Sequence, residues 1–163
     1  MLTRTSSPES INQMMSAAFG APQDFTPALN NVATVALIDD YGCAIFTPKG
    51  FKTYVLTIGL LPEGRGAWGA DFLRASIAFM FTQTDALVLK AYTPKSIPSG
   101  FALARHAAGG YLADNTPDHW EWKWTIAHWI REVSSVGDAV ALMRAAGEIE
   151  KADEVIKRMS PAR

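Results

Sequence analysis

Two apolar segments, residues 53–59 and 86–92, flank a helix-periodic run that a glycine-rich loop opens, and this arrangement constrains the fold more than any other part of the chain. From Ala70 to Gln83 the apolar residues Leu73, Ile77, Met80 and Phe81 recur at helical spacing, and Phe72 and Phe79 widen the stripe, so the helix is expected to be well buried. Thr53 to Gly59 is rich in β-branched and aromatic residues and reads as a strand. Ala86-Leu87-Val88-Leu89-Lys90-Ala91-Tyr92 is mostly apolar, the pattern of a strand inside a sheet covered on both faces. A strand, a helix and a strand so joined make a β-α-β unit, with parallel strands and a right-handed crossover.

Upstream of that unit, Val32-Ala33-Thr34-Val35-Ala36-Leu37-Ile38 reads as a strand ended by the turn Asp39-Asp40-Tyr41-Gly42. Residues 43–47 form the next strand, and Pro48-Lys49-Gly50 turns the chain into Thr53. Connections this short predict an antiparallel meander. Ahead of it, Ser7-Pro8-Glu9 opens a short amphipathic helix carrying Ile11, Met14, Met15, Ala18 and Phe19, which stops near Gly20-Ala21-Pro22.

Downstream, Pro94 and Pro98 punctuate a loop, and a helix from about Gly100 to Ala108 ends at Gly109-Gly110. Tyr111-Leu112-Ala113 is a brief strand before the turn Asp114-Asn115-Thr116-Pro117. Trp120, Trp122, Trp124 and Ile126 then alternate with Glu121, Lys123 and Thr125, the signature of a half-buried strand whose aromatic face packs in a core. Residues 136–159 read as helical, with Ile149, Ala152, Val155, Ile156 and Met159 as an apolar stripe. The expected organisation is one α/β (α+β) domain over residues 1–135 with its core at 32–128. A C-terminal helical extension over 136–163 packs on it or on a protein partner.

At 163 residues, 48% hydrophobic and 19% charged, the chain can bury a core without disulfides or metals. A net charge of -1 leaves no basic excess to neutralise a phosphate backbone, which argues against nucleic acid as a partner. No apolar run approaches the roughly 20 residues that span a bilayer, and the polar stretch Met1 to Pro8 is unlike a secretion signal. The single cysteine, Cys43, sits in a strand pattern and reads as a buried structural thiol, so a cytoplasmic, reducing location is expected. His106, His119 and His128 show no metal-ligand spacing with one another or with Cys43, and no metal is expected.

The loop Leu60-Leu61-Pro62-Glu63-Gly64-Arg65-Gly66-Ala67-Trp68-Gly69-Ala70 carries the chain from a strand into a helix. Such a turn aims free backbone N–H groups at one point, where the helix dipole adds positive charge, and an anion such as a pyrophosphate fits there. The loop's place after an antiparallel meander, and the later glycine-terminated helix and final strand pair, resemble the GNAT superfamily of N-acetyltransferases over about residues 32–128. Within it, the Arg65-Gly66-Ala67-Trp68 run resembles the short GNAT-like proteins of bacteriophages.

The resemblance implies a mixed sheet with helices on both faces, its two central parallel strands splayed apart to admit a pantetheine arm. It implies that Arg65, Gly66, Ala67, Trp68, Gly69 and Ala70 hold the pyrophosphate of acetyl-CoA, with backbone near Ile58 and Leu60 pairing with pantetheine. Two departures stand out. Trp68 occupies a position where the family signature carries glycine, and Ile97 or Pro98 and Ala104 or Arg105 stand where many active members have an asparagine and a tyrosine. Acetyl transfer needs a deprotonated amine, a donor to the oxyanion and an acid for the thiolate. The strand at 53–59 has no carboxylate, which leaves Tyr54, Tyr92 and His106 as the candidate catalytic side chains.

Two functions follow from the resemblance: an acyl-CoA-binding N-acetyltransferase acting on an amine, or a GNAT-fold protein without turnover, serving in bacteriophage assembly or the virion. The first places it in the host cytoplasm if phage-encoded, with CoA and an amine as its partners.

Overall fold

The computed structural model describes residues 1–107 and 110–133, so the extension expected over 136–163 lies outside the described residues. Its elements are β1 (Thr3–Thr5), α1 (Pro8–Phe19), α2 (Thr26–Leu29), β2 (Val35–Asp39), β3 (Gly42–Gly50), β4 (Thr53–Leu60), α3 (Ala67–Gln83), β5 (Val88–Pro94), α4 (Pro98–Ala102), β6 (Tyr111–Asn115), β7 (His119–Thr125) and α5 (Ile126–Val133). The strands form one seven-stranded sheet in the order β1-β2-β3-β4-β5-β7-β6. Among the described residues the parallel pair is β4 with β5, joined by α3, and the other neighbours are antiparallel.

The sheet is covered by helices on both faces. Leu56, Leu89, Trp122 and Trp124 point to one side, where they meet Leu73, Ile77, Met80 and Phe81 of α3 and Trp129 of α5. Burying an aromatic or large aliphatic side chain in this way contributes on the order of 2–3 kcal/mol. On the opposite face, Ile11 and Met15 of α1 cover Ala36, Cys43 and Ile45. Ser7 caps α1 by accepting the Ser10 N–H at 3.3 Å, and Gly20 closes it in the left-handed region at φ 67°. Burial pushes the Cys43 thiol up to about 12, so it is an inert core group.

Several boundaries depart from the sequence pattern. The first meander strand starts at Val35 rather than Val32, because the Asn31 side chain accepts the Ala33 N–H and its carbonyl accepts the Thr34 N–H. That local turn leaves Val32 almost fully exposed. The expected helix over 100–108 is instead α4, begun by Pro98, followed by a wider π turn at Leu103–Ala107. Ile126 leaves the alternating strand and starts α5: its N–H reaches the Leu87 carbonyl at 3.0 Å, and the Thr125 hydroxyl accepts the His128 N–H.

The strand at β5 is not covered on both faces as its composition suggested. Leu89 turns inward, while Lys90 and Tyr92 share the other face, where Lys90 Nζ lies 3.6 Å from Glu121 Oε1. The reason is the position of α1, which packs on β3 and β4. Among the described residues, no helix is long and apolar enough to cross a membrane.

Candidate functional site

The site begins where the parallel ladder ends. Thr53, Tyr54, Val55 and Leu56 stand opposite Val88, Leu89, Lys90 and Ala91, and pairing stops there, although β4 runs on to Leu60 and β5 to Pro94. The two central strands therefore splay. Which backbone groups face the gap follows from strand alternation. The Lys52 carbonyl points toward β5, accepting the Leu87 N–H at 2.8 Å, whereas the Leu61 N–H points the other way, to the Tyr41 carbonyl at 2.9 Å. Even-numbered residues of β4 thus direct their backbone groups at β5, and Ile58 and Leu60 have no residue of β5 opposite them. An extended amide-bearing chain can pair there.

At the open end of the splay, a 3-10 turn at Pro62–Gly64 leads through Arg65 and Gly66 into α3. Gly66 lies at φ 75°, ψ −135°, a conformation that L side chains rarely adopt, and it gives α3 no side-chain cap. The first intrahelical bond is Ala70 N–H to the Gly66 carbonyl at 3.0 Å. The N–H groups of Ala67, Trp68 and Gly69 come before it and have no intrahelical partner among the described residues. A Cβ added at Gly66 would meet nothing within 4 Å, so the space in front of this helix end is open. Gly69 serves close packing: a Cβ there would lie 2.7 Å from the Gly64 carbonyl oxygen and 2.7 Å from Leu60 Cδ1.

Trp68, the departure from the family signature, turns away from this opening. Its indole stacks on Phe72 at 5.1 Å and meets Tyr41 edge-on at 5.6 Å, beneath the turn between β2 and β3. Arg65, Gly66 and Ala67 are exposed, Trp68 and Ala70 are half-buried, and Gly69 is buried. Loop and splay adjoin along the chain: β4 ends at Leu60, and the turn from Pro62 through Gly66 leads from it to the first turn of α3.

The three catalytic candidates are scattered. Tyr54 is buried at the start of β4, about 20 Å along the strand from Leu60. Its hydroxyl donates to Asp85 Oδ1 at 2.8 Å, which fastens the end of α3 to the sheet. Burial, then the Asp85 carboxylate, push this phenol up from its usual 10.0 to about 12. Such a group strengthens the fold fully below pH 10, and its contribution is lost as pH rises through about 12. Tyr54→Phe is expected to destabilise by about 1 kcal/mol at pH 8 in urea unfolding, with the gap to the parent closing above pH 10. Equal stabilities at pH 8 would refute the anchoring role.

Tyr92, by contrast, is the first residue of β5 beyond the last parallel pair, 44% exposed and at the fork of the splay. His106 belongs to the π turn at Leu103–Ala107. Near it Ala104 is buried, Arg105 exposed, and Ile97 precedes α4, so those positions present no tyrosine or asparagine. One group that the sequence marked only as a non-ligand histidine lies beside Tyr92: the His119 ring meets the Tyr92 ring edge-on at 5.4 Å. Only the register of β5 against β7 brings them together.

A mixed sheet whose two parallel strands separate in front of the uncapped N-terminus of their crossover helix is the GNAT fold. Solved structures bear this out. A spermidine/spermine N-acetyltransferase from Vibrio cholerae superposes with a TM-score of 0.63 at 11% identity, covering 82% of this chain and 100% of the other. A Campylobacter jejuni N-acetyltransferase, PseH, superposes at 0.58 with 15% identity over 77% of this chain and 97% of its own. The same enzyme in complex with acetyl coenzyme A gives 0.52 at 18% identity, over 63% and 75%. Identities this low establish the fold alone. No protein-family model matches the sequence. No curated protein matches it either.

Proposed function

We infer that this chain binds acetyl-CoA and transfers the acetyl group to an amine. The observation that carries this reading is the continuity of the splay with the uncapped α3 terminus. It offers strand-like pairing at Ile58 and Leu60 and anion binding at Ala67, Trp68 and Gly69, in the order that an extended amide chain ending in a pyrophosphate requires. Bound acetyl-CoA would supply a thioester carbonyl open to attack by nitrogen. Arg65, exposed beside the loop, adds a cation to the phosphate end. Tyr92 stands at the fork and is the proposed acid for the departing sulfur. The similar solved structures include a spermidine N-acetyltransferase and an acetyl-CoA complex, which makes polyamines the first acceptors to try.

Calorimetric titration with acetyl-CoA and with CoA tests the reading. Binding at micromolar strength is expected, followed by release of free thiol when spermidine or another primary amine of a panel is added. Absence of binding at millimolar CoA would overturn it. Binding without turnover on any amine would favour the second reading, a GNAT-fold protein that has lost its chemistry and serves a phage particle or another assembly. The observation on that side is the missing tyrosine and asparagine around Ile97 and Ala104.

A further inference from the structure

We propose that the tip of the β3–β4 hairpin docks on a second copy of this chain, with Phe51 seated in a hollow beside the first half of α3, so that copies join head to tail. The inference stands apart from the acetyl-transfer reading. Its first element is an aromatic ring held out to solvent on a fixed turn. Phe51 is 82% exposed, with Lys49 and Lys52 on either side of it. Among the described residues Lys52 alone combines a side chain with a left-handed backbone, at φ 47°. Its carbonyl accepts the Leu87 and Val88 N–H groups at 2.8 and 3.2 Å, and the Thr53 hydroxyl donates to the Phe51 carbonyl at 2.9 Å. A single exposed apolar residue calls for no explanation, but one held out by a left-handed lysine does. A turn fixed in this way also loses little freedom on binding.

The second element is a hollow of about 250 Å³ lined by Leu2, Asp39, Trp68, Asp71, Phe72 and Ala75. A cavity of about 150 Å³ is enough to take up benzene, so one phenyl ring fits. Trp68 and Phe72 stack on each other at 5.1 Å and offer that ring aromatic neighbours. Charge is complementary as well. Asp39 meets the Met1 ammonium at 2.6 Å and Asp71 meets Arg74 at 2.7 Å. With Asp40 and Glu63, the acids at this end of the sheet still outnumber that ammonium, Arg65 and Arg74. At the hairpin end, Lys49, Lys52 and Arg4 stand against Glu9 and against Asp85, which accepts the Tyr54 hydroxyl at 2.8 Å. A phenyl ring flanked by lysines thus matches an aromatic hollow flanked by aspartates.

The two surfaces lie at opposite ends of the sheet. Asp39 pairs with Gly42 at the start of β3, and the strand runs on to Gly50, about 26 Å away. Phe51 therefore cannot reach the hollow of its own chain. A contact between unlike surfaces repeats from copy to copy instead of closing as a symmetric pair.

Sedimentation velocity on the full chain decides the proposal. The average mass should climb past that of a dimer as concentration rises, and fall back as salt screens the pairing of lysines with aspartates. Phe51→Ser should weaken the association by about 30-fold or more, the effect of removing an aromatic anchor from its pocket. Ala75→Trp, which fills the hollow from an exposed position of α3, should weaken it as strongly. If a thermal melt shows that this bulkier change disturbs the fold, Asp71→Lys takes its place. Mixing the variants tests the geometry itself. A Phe51→Ser copy keeps its hollow and an Ala75→Trp copy keeps its ring, so the two should combine into a one-to-one dimer that grows no further. A parent chain that stays monomeric, an association that stops at a dimer or ignores Phe51→Ser, or variants that do not combine would each overturn the proposal.

Discussion

Gly66→Val is expected to weaken CoA binding by about 100-fold or more while the domain stays folded. Gly66 sits at φ 75°, and a β-branched residue there must either carry strain of about 1–3 kcal/mol or rotate out of that conformation. Rotation turns the first N–H groups of α3 away from their common focus. Two hydrogen bonds from backbone N–H to a charged phosphate oxygen are worth about 1.5 kcal/mol each, which together make about 100-fold in affinity. The substitution does not crowd the site, because nothing lies within 4 Å of a Cβ at Gly66. That separates it from Gly69, where a side chain would strike the Gly64 carbonyl and misplace the helix. Calorimetry with CoA, beside a thermal melt, checks the prediction. Unchanged affinity with an unchanged melt would dismiss the loop as the phosphate site.

Trp124→Ala should lower unfolding free energy by about 3–5 kcal/mol. Trp124 is 1% exposed and stands opposite Leu89 in the register of β7 on β5. Gly110 lies flush against its ring: an added Cβ would fall 2.7 Å from Cζ2. Removing the indole leaves a cavity between β7 and Gly110, which the surrounding strands are held too firmly to fill. Against a total stability of about 5–15 kcal/mol, such a loss is large enough to read directly from a urea transition. A change below about 1 kcal/mol would mean that the aromatic face of β7 is a surface rather than a core.

The splay is where pattern reading and structure part company. Ile58 and Leu60 look in sequence like any other residues of an apolar strand, and nothing in their identity says that their partners stop at Leu56 and Ala91. Tyr54 illustrates the converse. A hydroxyl on the central strand invited a catalytic role, but its partner, Asp85, is 31 residues away in the chain, and the pair sits at the end of β4 opposite Leu60. His119 was legible only as a histidine without metal-ligand spacing. Its company with Tyr92 depends on a pairing between distant strands.

By itself, the sequence determined which segments become strands and helices across the meander, the β-α-β unit and the tryptophan strand. Those choices rest on periodicity and turn chemistry, which act over a few residues. It also placed a glycine, Gly66, at the positive-φ position of the loop that opens α3, because only local backbone freedom is at stake there. Tertiary structure alone decided where the parallel ladder ends, which sheet face α1 covers, and that the three-residue strand β1 adds an edge to β2. Those outcomes depend on register and packing between segments tens of residues apart, and such contacts leave no local mark in the chain.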